Sequence, residues 1–129
     1  MNFKARYKAN SNTEYQSLTI HLQECAMYVE LFAKEISLPQ PAILIALVHD
    51  LGKNCKSWQE YLENSHKEGK KKKKEDHGTA GGQYLYETMK QRFGDSGELI
   101  AQILAACVMY HHGSGLPDVI ETDGTPVLA

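Results

Sequence analysis

The chain has 129 residues, 42% apolar and 23% charged, with a net charge of −2. That length suffices for one domain with one core, and the balance excludes a disordered or fibrous chain. A near-neutral charge gives no global signal for nucleic acid, so any such signal has to be local.

In chain order, residues 1–12 are polar, with Asn10-Ser11-Asn12 as a loop signal. The opening Met1-Asn2-Phe3-Lys4-Ala5-Arg6 has no apolar signal core, which points to a cytoplasmic protein. Leu18, Leu22, Cys25, Val29, Phe32 and Ile36 then recur at steps of three and four, which predicts a helix over 14–37. Pro39 and Pro41 end it and open the next. Residues 42–51 are apolar nearly all round, so this second helix should be buried before it stops at Gly52. A third helix is expected over 57–64, with Trp58, Tyr61 and Leu62 inward. Residues 67–76 carry Lys70 to Lys74 in a row; these repel one another and predict an exposed loop. A fourth helix covers 77–93, closed by Gly94. A fifth runs over 97–112, with Leu99, Ile100, Ile103, Leu104, Cys107 and Val108 as its stripe. The Gly- and Pro-containing tail 113–129 reads as irregular. No repeat, no strand pattern and no apolar run near the roughly 18 residues of a membrane span is present. The expected fold class is all-α, a compact bundle of about five helices.

Cys25, Cys55 and Cys107 are scattered and form no CxxC. They read as small core residues in a reducing compartment, neither a disulfide framework nor a zinc ribbon.

The six histidines are more telling. His21 lies three after Leu18 and four before Cys25, within the first stripe. His49 lies four after Ile45, deep in the most apolar helix. His77 opens the fourth helix, whose inward face continues through Ala80, Gly81, Tyr84 and Leu85. His111 and His112 follow Cys107 and Val108 by four each. His66, entering the lysine run, reads as solvent-exposed. Five inward imidazoles without partners are costly. A shared metal satisfies several at once, since neutral imidazole is a common metal ligand. Asp50, a carboxylate on the same apolar helix, also needs a partner. His49 and Asp50 point about 100° apart, so they can reach two neighbouring metals or one metal from two sides. Imidazole and carboxylate together suit Mn, Fe, Ni, Co or Zn better than Mg alone, and one or two such divalent ions are expected. Lys53 follows Asp50 by three and can meet a substrate phosphate as a point charge.

His49-Asp50-Leu51-Gly52-Lys53 resembles the HD-x-GK motif of the HD phosphohydrolase superfamily. With His21 in Ser17-Leu-Thr-Ile-His21, Asp76-His77-Gly78-Thr79-Ala80-Gly81 and His111-His112-Gly113, the chain more closely resembles the HD nuclease domain of the type I CRISPR-associated helicase–nuclease, over residues 15–115. The resemblance implies an HD-type bundle in which His21, His49 and Asp50 build one metal site. Asp50 would bridge to a second, completed by His77, His111 and His112. Asp50 and Lys53 would serve catalysis, Lys53 by holding the scissile phosphate or stabilising charge during attack. The implied activity is metal-dependent cleavage of single-stranded DNA, beside a helicase in cis or in trans and an RNA-guided surveillance complex, without a membrane.

One departure stands out. The family pattern has a further aspartate well downstream, and Asp118 and Asp123 follow the His-His-Gly run too closely for that role. Residues 1–129 therefore read as one domain, either the N-terminal portion of a longer protein with its closing helices cut short or an unusually short gene product. Two further readings stay open: a nucleotide phosphohydrolase using the same metal chemistry, and a non-catalytic metal-binding domain. The lysine run reads as a solvated insertion, or as a contact for a DNA backbone with Trp58, Tyr61 and Tyr84 as stacking aromatics.

Overall fold

The computed structural model describes residues 3–9, 11, 13–68 and 75–112. Among these, two short strands, β1 (Lys4–Tyr7) and β2 (Tyr15–Ser17), precede five helices. These are α1 (Leu18–Ala33), α2 (Pro39–Val48), α3 (Lys56–Glu68), α4 (Gly78–Phe93) and α5 (Asp95–Met109). Single 3₁₀ turns follow α1 (Lys34–Ile36) and α2 (Leu51–Asn54). The helical bundle is as expected. The strands are not: β1 and β2 pair antiparallel, Arg6 opposite Gln16 and Tyr7 opposite Tyr15, with an irregularity between Lys4 and Arg6. Four and three polar-rich residues are too short to show an alternating pattern, which is why the sequence hides them.

The pairing also shortens the first helix. Ser17 is extended, and its hydroxyl accepts the Ile20 N–H at 3.3 Å, so α1 begins at Leu18 rather than at 14. At the other end Ser37 is left-handed (φ 57°) and Pro39 starts α2. α3 reaches Glu68, into the segment expected to be loop. The lysines 70–74 and the tail 113–129, with Asp118 and Asp123, lie outside the described residues.

α1 packs along α2 and α4 along α5, while α2 also touches α4 and α5 and so joins the two pairs. The core is Val48, Leu85, Leu104 and Val108, with Leu44, Ile45 and Met89 against it. The expected stripes are rotated from the true faces. On α5 the buried residues are Gly97, Ala101, Leu104, Ala105 and Val108, whereas Leu99, Ile100 and Ile103 are exposed. On α1 Leu18, Ala26 and Ala33 are buried, whereas Phe32, and Ile36 in the turn that follows, are exposed. Tyr84 of α4 and Leu47 of α2 also face outward, so α2 is only partly enclosed. Small residues let paired helices approach closely, so the inward sides carry glycines and alanines beside the large apolar residues of the core. No helix among the described residues is long and apolar enough to cross a membrane.

α3 is tied to the hairpin and to the turn after α2. Gln59 accepts the Lys4 N–H at 3.1 Å and donates to the carbonyls of Lys4 (2.9 Å) and Lys53 (2.8 Å). Lys4 Nζ meets Glu63 at 2.6 Å.

Candidate metal centre

The site forms where helices end. α2 stops at Val48, and Asp50 opens the 3₁₀ turn that carries Gly52 and Lys53. Here the backbone of Gly52 runs against that of His77: a Cβ at Gly52 would collide with the His77 carbonyl and lie 2.7 Å from its Cα. Only glycine allows that approach. Near the start of α4, Gly81 permits a similar approach to the Val48 carbonyl and Val108. Asp76 caps α4, its Oδ1 accepting the Gly78 and Thr79 N–H groups at 3.1 and 3.3 Å. A hydrogen bond from the Thr79 side chain, ahead of these two backbone bonds, holds its carboxyl below the usual range. His111 and His112 stand in the turn just past α5, which ends at Met109 rather than at 112.

All the expected site residues meet at Asp50, whose side chain is 2% exposed. Oδ2 lies 3.0 Å from His21 Nε2, 3.3 Å from His49 Nε2 and 2.7 Å from Lys53 Nζ. Oδ1 lies 3.2 Å from His77 Nε2, 3.4 Å from His111 Nε2 and 3.9 Å from His112 Nε2. The carboxylate thus presents one oxygen to each of two imidazole groups. Lys53 Nζ also sits 5.0 Å over the ring of buried Trp58, which in turn meets His77 edge-to-face with centroids 5.7 Å apart.

Three of the rings have a fixed tautomer. His49 Nδ1 is 2.7 Å from the Ala46 carbonyl, His77 Nδ1 3.2 Å from the Glu75 carbonyl, and His111 Nδ1 2.6 Å from the Val108 carbonyl. A carbonyl only accepts, so each Nδ1 carries the hydrogen. In the neutral ring the Nε2 lone pair then faces Asp50. Asp50 Oδ1, His77 Nε2 and His111 Nε2 are buried and have no hydrogen-bond partner among the described residues. Converging lone pairs without a hydrogen between them repel, and a cation among them removes the conflict. The donor set fits a divalent ion, with Asp50, His77, His111 and His112 close enough to share one.

Protons can stand in for a cation: burial alone would push the Asp50 carboxyl up, but hydrogen bonds from His49 and His77 with both ring nitrogens protonated, and from Lys53, outweigh it and hold the group well below the usual carboxylate range. Burial pulls His49 down, yet the Asp50 carboxylate and the Ala46 carbonyl carry it above its ordinary value. For His21 burial prevails, and the ring sits below it. A cleft of about 230 Å³, lined by Glu75, Asp76, His77, Gly78, Met109 and His112, adjoins the Oδ1 side.

Two expectations fail nearby. His66 is half-buried and stacks on Tyr7 with ring centroids 3.8 Å apart, a contact supplied by the unforeseen hairpin. Of the cysteines expected in the core, Cys55 is exposed, whereas Cys107 and Cys25 are half-buried, and the Cys25 Sγ lies 3.9 Å from both ring nitrogens of His21. Burial, then Asp50, pushes this thiol up. The four-residue step from His21 was the signal available for it. Gln59 had none, because its partners come from a strand and a turn.

No curated protein and no solved structure matches the chain. A family model described as "Cas3, HD domain" matches residues 4–125, nearly its whole length and wider than the motifs alone span. HD domains of this kind bind divalent metals and serve as nucleases in CRISPR systems, and with that match over its whole Asp–His cluster the chain belongs to the Cas3 HD domain family.

Proposed function

We propose that this domain hydrolyses phosphodiester bonds of single-stranded DNA with divalent metal ions, in CRISPR interference. One observation carries the reading: the Asp50 carboxylate offers Oδ2 to His21 and His49, and Oδ1 to His77, His111 and His112. That division suits two ions sharing a bridging carboxylate. When bound, such ions lower the pKa of water and offset the charge that builds on phosphate oxygens. His21 and His49 would hold one, and His77, His111 and His112 the other. Gly52 and the Asp76 cap keep His77 in register with Asp50. Lys53, already beside the cluster, would meet a non-bridging phosphate oxygen. The cleft beside His112 gives a strand a way to the cluster. Family membership supports a helicase that delivers the strand and an RNA-guided complex that recruits both.

The test is single-stranded DNA cleavage by the purified chain with Mn, Ni, Co, Fe, Zn or Mg added separately. Cleavage with at least one ion, lost in Asp50→Ala, is the expected result. Hydrolysis of free nucleotides with no cut in DNA would replace the proposal with a nucleotide phosphohydrolase. Metal uptake with neither activity would leave a binding domain.

A further inference from the structure

We propose that Cys25 is itself a metal ligand, completing a sulfur-containing site on the Oδ2 side of Asp50 that takes zinc or a similarly thiophilic divalent ion. The inference rests on the Asp–His metal reading and deepens it.

Cys25 stands one turn after His21 on α1, so both side chains project from the same side of the helix. One donor atom each from His21, Cys25 and His49 lie within 4.8 Å of one another. Asp50 Oδ2 joins them at 3.0 Å from His21 Nε2 and 3.3 Å from His49 Nε2. In a tetrahedral zinc site, bonds of about 2.3 Å to sulfur and 2.0–2.1 Å to nitrogen put those two atoms roughly 3.6 Å apart. The Cys25 sulfur is 3.9 Å from the His21 nitrogens, a few tenths of an ångström away from that arrangement. Sulfur, two nitrogens and one carboxylate oxygen make a four-donor set drawn entirely from α1 and the end of α2.

Among the described residues, the other side of Asp50 offers only nitrogen and oxygen donors. The two sides therefore differ in softness. A thiolate favours zinc or cobalt over magnesium or manganese. On ligation the thiol proton leaves to solvent and the sulfur electron pair forms the metal bond, with no change in oxidation state. The rival role for Cys25 is to orient the His21 ring by a sulfur–nitrogen contact. Among the described residues, that ring finds this sulfur where His49, His77 and His111 find a carbonyl.

The test loads the full chain with Co(II) and reads its absorption spectrum beside the bound cobalt content. The expected result is a thiolate-to-cobalt charge-transfer band in the near ultraviolet. It should vanish in Cys25→Ser and Cys25→Ala and persist in Cys55→Ala and Cys107→Ala. Zinc affinity in Cys25→Ser should fall by more than the roughly 10–100-fold that loss of a merely orienting partner costs. Cobalt bound without that band, or a band that survives in the Cys25 variants, overturns the Cys25 assignment and leaves the Asp–His centre standing. No bound cobalt at all overturns both.

Discussion

A carboxylate that is 2% exposed and ringed by five imidazoles and an ammonium depends on its charge. Replacing Asp50 by Asn keeps the shape and removes that charge. The expected outcome is loss of metal uptake and a fall in cleavage of at least about 10²-fold, on the order of what removing one charge-stabilising group costs an enzyme. A variant that cleaves like the parent would contradict the site. The pH dependence has a definite sign. Ligation needs neutral rings, so metal affinity should fall as pH drops through the imidazole range, near about 6.5. His49, held above its ordinary value, protonates first on the way down, and His21, held below it, protonates later. Titrating zinc or manganese against the protein at several pH values checks this, and a flat affinity would count against imidazole ligation. At this level the sequence was informative. An acid and five histidines on apolar helices announce a shared need, and each reached the same carboxylate. The contact between Cys25 and His21 escaped because a lone cysteine in a helix is usually small apolar filler, and the four-residue step from His21 was the one signal against that.

The ends of α2, α4 and α5 build the site, and glycine contacts set how closely they meet. Gly52→Ala should force the His77 backbone away from Asp50. A destabilisation of about 1–3 kcal/mol is expected for such overpacking. Thermal unfolding reads the stability, and zinc titration should show weaker binding with it. An unchanged melting temperature would mean that the turn can shift without cost. Helices with caps and breakers were legible: Pro39 opens α2 and Gly94 closes α4. Their faces were read less well. Sequence stripes weight large apolar residues: on α5 Leu104 and Val108 of the expected stripe are buried, but Leu99, Ile100 and Ile103 are exposed, and α4 approaches α5 closely at Gly81 and Gly82, against Val108 and Ala105. The hairpin was hidden for another reason: strands of four and three residues carry too little pattern.

Across the molecule, one small core and two outward apolar faces coexist. Phe32 is 74% exposed and Leu85 2%. Phe32→Ser should change unfolding free energy by no more than about 0.5 kcal/mol. Leu85→Ala should cost about 2–5 kcal/mol. Denaturant titration of both variants checks the division, and a large loss from Phe32→Ser would mean that α1's outer face is covered in solution. The all-helical bundle was legible from periodicity, and the family from four short motifs between Ser17 and Gly113, inside the residues 4–125 that the family model matches. All of it converges on the metal centre, so the most direct measurement is the metal content of the purified chain beside that of Asp50→Asn, after loading with a divalent ion and removing the excess. About two ions per chain in the parent and almost none in the variant is the predicted result, as a bridging carboxylate requires. A parent chain that retains no metal would contradict the centre.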